Sequence, residues 1–108
     1  REEAERKYPR IPDLPVHKSV YGMESRLEFR YRADYILSTI INENDMESTI
    51  AIVSHGGMIN QLFHSFLSLP IVSSIHFATG DTGIHLWHLD DKERFIMFSN
   101  NTEHYKII

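Results

Sequence analysis

Four consecutive residues, Ser54-His55-Gly56-Gly57, have the types and the order needed to bind an anion. They follow the apolar run 50–53 and precede a helical pattern. A helix N-terminus carries unpaired backbone N–H groups and partial positive charge, so it attracts phosphate. In open α/β sheets, ligands bind beyond the carboxyl ends of the strands. The pattern therefore predicts that His55 contacts an anion, although a tight strand-to-helix turn explains the two glycines equally well.

A metal site is a weaker interpretation of the seven histidines. His85 and His88 are three residues apart in a segment whose pattern predicts a strand. On a strand this spacing places two side chains on opposite faces, so they cannot share one ion. We therefore expect no metal site.

Four elements must position these residues. Apolar residues at three- and four-residue spacing predict helices over 24–43 and 57–68. Residues 49–54 are almost all apolar, which is typical of a strand buried on both faces in a parallel sheet. The alternating segments 83–89 and 94–99 predict an antiparallel hairpin at a sheet edge.

The remaining segments are less regular. Residues 1–8 are charged and compatible with a helix, whereas the prolines that follow predict an extended connection over 9–23. His17 and Lys18, in this connection, either line the rim of the site or form an ordinary surface pair. Residues 71–82 fit a short strand or a helical turn.

Composition narrows the class of protein. The 108 residues form one domain or part of one, and the net charge of −4 disfavours a general nucleic-acid-binding protein. The absence of cysteine excludes disulfides and thiolate metal sites. No apolar run approaches the roughly 18 residues that a membrane span needs. We expect a cytoplasmic protein that binds neither membrane nor nucleic acid.

Three segments resemble motifs of one family, and they occur in that family's order. Residues 53–59, Val-Ser-His-Gly-Gly-Met-Ile, are similar to the second-histidine motif of the histidine phosphatase superfamily, whose fold is phosphoglycerate-mutase-like. The segment Gly22-Met23-Glu24-Ser25 resembles the family's Gly-Glu-Ser segment with one extra residue, Met23. Residues 100–104, Asn-Asn-Thr-Glu-His, resemble its closing Asn…His segment.

The resemblance implies an α/β fold with three layers, a mostly parallel sheet, helices on both faces and an antiparallel edge hairpin. The family's Arg-His-Gly motif, which carries the phosphate-accepting histidine, does not occur in the chain. The family's acidic proton donor also belongs further upstream. We therefore interpret residues 1–108 as the C-terminal part of a single domain whose nucleophile half is a missing partner.

The resemblance also implies a function and site residues. The joined halves would hydrolyse phosphoric monoesters of a small substrate through a phosphohistidine, without a metal or an organic cofactor. His55 would support the transferring phosphoryl group as a catalytic residue, and Ser54, Gly56 and Gly57 would contact substrate. Glu24 would contact substrate as an acid or base, or it would cap the helix or pair with an arginine.

Other interpretations stay open. The chain could belong to a non-catalytic relative that binds a phosphorylated ligand or a protein, or to a mutase. Arg26, Arg30 and Arg32 of the first helix could reach toward an anionic substrate, but a solvated helix face is the expected environment. Arg30 and Asp34 also have i,i+4 pairing geometry. His104 is predicted to be a hydrogen-bonded structural residue.

A stability argument accompanies this interpretation. The predicted strand 49–54 needs neighbours on both sides to pair its backbone groups, and the hairpin supplies one at most. We expect that the chain alone does not form a stable monomer, and an unpaired sheet edge also favours a homodimer.

Overall fold

Four regular elements follow one another in the computed structural model, which describes residues 14–19 and 21–104. They are helix α1 (Arg26–Glu43), helix α2 (Gly56–Phe66), strand β1 (Ile84–Leu89) and strand β2 (Arg94–Asn101). The two predicted helices and the predicted hairpin are confirmed, with each end within two residues of its expected position. The helix predicted over 1–8 lies outside the described residues.

Helix α1 begins at a capping box. The Ser25 hydroxyl accepts from the Glu28 backbone N–H at 3.1 Å, and the Ser25 N–H donates to Glu28 Oε1 at 2.8 Å. These hydrogen bonds, the backbone one above all, lower the pKa of the Glu28 carboxyl. The apolar stripe of α1 places Ala33 and Leu37 against α2, so the two helices share one small core.

Aromatic packing joins α2 to the hairpin. Phe63 is fully buried. Its ring and the Trp87 ring pack edge-to-face, with 4.6 Å between the ring centroids. Trp87 also stacks on Phe66 at 4.7 Å. Arg94 donates to the Phe66 carbonyl at 2.6 Å, and its guanidinium lies 5.3 Å from the centre of the Phe66 ring. These contacts hold β1 and β2 against the C-terminal half of α2.

The hairpin is antiparallel, with Trp87 opposite Ile96 and irregular register between Ile84 and Trp87. The Asp90 carboxylate accepts from the backbone N–H groups at 93 and 92, at 2.6 and 2.8 Å, and these hydrogen bonds lower its pKa. Along β1, His85 is half-buried on the face toward α2 and His88 is exposed. The predicted placement of these two histidines on opposite faces is confirmed.

Residues 71–82 contain neither a helix nor a strand. Two side chains of α2 hold this segment: Asn60 Oδ1 accepts from the Phe77 N–H at 2.9 Å, and His64 Nε2 donates to the Ile75 carbonyl at 2.9 Å. Both buried His64 and half-buried Asn60 therefore contribute to the fold rather than to a ligand site.

The strand predicted over 49–54 is absent, which corrects that expectation. No backbone hydrogen bond joins these residues to another described residue, and Val53 is 97% exposed. A strand exists only where a neighbour pairs with its backbone, and none lies beside it within 14–19 or 21–104. The sheet of the described chain has two antiparallel strands, so the three-layer, mostly parallel arrangement is not seen there.

Among the residues that the structure describes, no helix is both long enough and apolar enough to cross a bilayer.

Candidate functional site

An open cleft of about 990 Å³ lies between α1, the start of α2 and β1. The unpaired apolar segment 49–53 forms one of its walls. Its lining comprises Leu37, Ile40, Ile41, residues 44–46 and 48–56, Ile59, Leu62, Phe66, residues 79–89 and Met97. The predicted site residues Ser54, His55 and Gly56 all belong to this lining, so the structure brings three of the five together.

His55 is the N-cap residue of α2, with extended backbone angles of φ −98° and ψ 161°. Its exposed side chain makes no capping hydrogen bond, so the imidazole is available to a ligand. The first intrahelical hydrogen bond runs from the Ile59 N–H to the His55 carbonyl at 2.8 Å. The N–H groups of Gly56, Gly57 and Met58 therefore have no acceptor within the helix. Imidazole and helix start together can bind an anion.

The two glycines face different neighbours. A Cβ on Gly56 would lie 3.4 Å from Thr79 Cγ2, on the cleft wall. A Cβ on Gly57 would lie 3.6 Å from the Phe29 ring of α1, and Gly57 does not line the cleft. Gly57 thus lies at the contact between the two helices, and its predicted contact with substrate stays a prediction.

Glu24 lies apart from the cleft lining. Its carboxylate forms an ion pair with Arg32 at 2.6 Å, and both side chains are well exposed. The Arg32 guanidinium lies 5.5 Å from the centre of the Phe29 ring. The arginine pairing that the sequence left open is therefore present, and a role for Glu24 toward substrate stays a prediction.

Arg30 differs from the expected solvated face. The predicted pair is confirmed, because Arg30 Nε lies 2.9 Å from Asp34 Oδ1. Arg30 is nevertheless only 8% exposed, and its buried Nη1 has no hydrogen-bond partner among the residues that the structure describes. The expectation of a solvated arginine at this position is wrong, because α1 buries this part of its surface as well as its apolar stripe.

A hydrogen-bond network of polar residues lies beside Gly56, and the sequence did not predict it. Thr79 Oγ1 lies 2.5 Å from His85 Nε2, and the backbone N–H of Asn100 donates to His85 Nδ1 at 3.1 Å. The Ser99 hydroxyl lies 3.0 Å from the same Nδ1. Sequence spacing gives no signal for this group, since it depends on the irregular register of β1 against β2.

Burial lowers the pKa of His85 below its ordinary value of 6.5. The unfolded chain then binds a proton more readily than the folded chain, so stability is full above pH 6.5 and falls as the pH decreases toward the folded pKa. Glu28 and Asp90, whose pKa values are also lowered, lose their contributions only below about 4.5 and 3.8. The effect of His85 therefore has its own pH window.

We expect His85→Gln in the full-length protein to reduce the loss of stability between pH 7.5 and pH 5.5. Urea unfolding of the wild type and the variant at both pH values measures this difference. At pH 7.5 the ring is neutral in both states, so the variant's effect there reports packing alone and serves as the control. An equal loss of stability in the wild type and the variant would show that His85 does not cause the pH dependence.

The other candidate residues from the sequence, His104, His17 and Lys18, do not line the cleft. His104 Nε2 lies 2.8 Å from Thr82 Oγ1, which confirms the prediction of a hydrogen-bonded histidine. His17 and Lys18 are exposed and do not line the cleft. Within residues 14–19 and 21–104, no group of three or more histidine or carboxylate side chains could hold a metal ion.

The two helices and the hairpin make this an α/β chain. The histidine at the N-terminus of α2 gives it a candidate anion site. A sequence model of the histidine phosphatase superfamily (branch 1) matches residues 1–102, and the chain belongs to this superfamily. The superfamily includes phosphatases and mutases, so membership suggests one of these activities. No curated protein and no solved structure shows significant similarity to the chain.

Proposed function

We propose that this chain supplies one part of a phosphatase site that hydrolyses phosphoric monoesters through a phosphohistidine. The observation that carries the proposal is the exposed His55 ring at the start of α2, on the wall of an open cleft. Superfamily membership supports the class of reaction. The substrate is a small phosphorylated molecule, and the phosphate-accepting histidine comes from the other half of the domain.

The cleft supports a missing half on physical grounds. Ile50 and Ile52 are each 43% exposed and Val53 is 97% exposed, although burying such a side chain contributes about 1.5–3 kcal/mol. The backbone groups of 49–54 also lack partners among the described residues. A parallel strand laid beside 49–54 would pair its backbone groups, and helices packed on the sheet would bury its side chains, as in a three-layer fold. The carboxyl end of the added strand then lies near His55, where the nucleophile is required.

The reaction proceeds in two steps. A ring nitrogen of the nucleophile attacks phosphorus, the bond from phosphorus to the ester oxygen breaks, and an acid in the other half protonates the leaving oxygen. Water then attacks the phosphohistidine, which breaks the phosphorus–nitrogen bond and releases phosphate. In both steps the His55 ring and the Gly56 N–H donate hydrogen bonds to the non-bridging oxygens and stabilise their negative charge. These groups supply the positive charge, so we expect neither metal nor organic cofactor to be needed.

Trapping the intermediate tests the proposal. We expect the full-length protein, quenched in alkali during turnover of p-nitrophenyl phosphate, to carry one phosphoryl group that is lost in acid. Intact mass spectrometry before and after acid treatment measures it. Saturable phosphate binding without turnover would instead indicate a non-catalytic binder, and transfer to a second phosphorylated acceptor would indicate a mutase; either result would contradict hydrolysis as the function.

A further inference from the structure

We infer that Thr79 is a substrate-contacting residue whose hydroxyl donates a hydrogen bond to a phosphoryl oxygen, and that His85 is the positioning residue which orients it. The inference rests on the proposed function and adds two residues to the same site. Its basis is the juxtaposition of Thr79 with the start of α2 and the direction of the hydrogen bonds around His85.

Thr79 lies on the same wall as the proposed phosphate groups. It lines the cleft together with His55 and Gly56, and its methyl carbon lies 3.4 Å from where a Gly56 Cβ would be. Thr79 is half-buried. A phosphoryl oxygen bound by the Gly56 N–H would therefore lie beside the Thr79 side chain.

The proton positions follow from the backbone. The Asn100 N–H can only donate, so His85 Nδ1, at 3.1 Å, must accept. In the neutral ring the proton is then on Nε2, which donates to Thr79 Oγ1. The lowered pKa of His85 agrees with a neutral ring. Thr79 Oγ1 accepts from His85, and in the described part of the chain its own proton has no acceptor. That proton is available to a ligand.

Backbone hydrogen bonds at Gly80 and Gly83 hold the segment that carries Thr79 in place. Asn100 Oδ1 accepts from the Gly80 N–H at 2.7 Å, and the Gly83 N–H donates to the Gly80 carbonyl at 2.9 Å. A Cβ on Gly83 would lie 2.5 Å from Asn100 Oδ1, so this approach requires glycine. Asn100 itself has φ +52°, a left-handed conformation that asparagine tolerates. The hydroxyl is thus fixed before substrate binds, as electrostatic stabilisation requires.

The test compares Thr79→Val with Thr79→Ser in the full-length protein. Valine keeps the shape and removes the hydroxyl, so we expect kcat/KM for p-nitrophenyl phosphate to fall by about tenfold to a hundredfold, as for one hydrogen bond to a charged group. Serine keeps the hydroxyl and should stay within about threefold of the wild type, well below that loss. Thr39→Val, at a half-buried threonine of α1 outside the cleft lining, is the matched control and should retain activity.

The positioning role needs its own readout. We expect His85→Phe to lower kcat/KM in the wild-type background but to cause no further loss in the Thr79→Val background, because its effect passes through the hydroxyl. A purely structural role would give the same loss in both backgrounds. Should His85→Phe fail to fold, the ¹⁵N shifts of the His85 ring in the unaltered protein decide: a proton on Nδ1 would overturn the inference.

The outcomes separate the inference from the proposed function. A wild type that turns over substrate while Thr79→Val is unchanged overturns the inference alone. A wild type with neither turnover nor binding of inorganic phosphate overturns the proposed function, and the inference with it. Loss in Thr79→Val with recovery in Thr79→Ser supports both.

Discussion

His55→Ala in the full-length protein is expected to lower phosphatase turnover by at least about tenfold, the low end for loss of one group that stabilises transition-state charge. The hydrogen bond from the His55 ring contributes most when negative charge on the transferring phosphoryl oxygens is greatest, so kcat falls more than KM rises. Steady-state kinetics on p-nitrophenyl phosphate measures both. The variant also tests the candidate site as a whole, because His55 is the cleft residue that matches the histidine of the family's second-histidine motif.

The surroundings of His55 make this experiment easy to interpret. Its side chain is exposed and makes no capping hydrogen bond, so its removal should change the free energy of unfolding by less than about 0.5 kcal/mol. His76→Ala, at an exposed histidine outside the cleft lining, is the matched control and should keep wild-type turnover. Unchanged turnover in His55→Ala, with the control equally active, would refute the assignment.

Local patterns predicted the elements well. Helix α1 follows from apolar residues repeated at three- and four-residue spacing, and Ser25 with Glu28 completes a capping box at its start. The hairpin follows from two alternating segments joined by a short turn that Asp90 stabilises. Each of these signals is contained within about 20 residues of sequence, so no tertiary information is needed to read them.

Long-range contacts were not predictable in the same way. Arg30 was assigned to a solvated face, yet the structure buries it, because burial depends on which side of α1 the rest of the chain covers. The network of Thr79, His85 and Asn100 joins residues up to 21 positions apart through an irregular strand register. An irregular register changes which residues lie opposite one another, so alternation alone does not bring His85 to Ser99 and Asn100.

The segment 49–54 shows the limit of local reasoning most directly. Its composition predicts a central strand, but a strand is completed by its neighbours' backbone groups. Without a neighbour in the described residues, the same side chains line an open cleft. The apolar pattern is therefore informative about a partner surface even where the strand itself is not formed.

The chain of 108 residues expressed alone is expected to lack a cooperative thermal transition as a monomer and to have negligible phosphatase activity. Within residues 14–19 and 21–104, the buried apolar core consists of six side chains: Ala33, Leu37, Met58, Leu62, Phe63 and Phe66. Other apolar residues remain exposed along the cleft, and among them Ile84 is 51% and Leu86 47% exposed. So small a core does not offset the entropy of ordering the chain. Under the proposed function, the histidine that accepts the phosphoryl group is supplied by the other half of the domain.

Near-UV circular dichroism, thermal melting and sedimentation measure this expectation, and the full-length protein is the control. Ile52→Asp provides a second comparison: in the full-length protein it places a charge where a covering strand should lie, so the melting temperature should fall by several degrees. In the chain alone, where Ile52 is already 43% exposed, the same change should have little effect. A sharp melt of a monomeric chain would show that 49–54 needs no partner strand, and a folded dimer would identify a second copy as the partner.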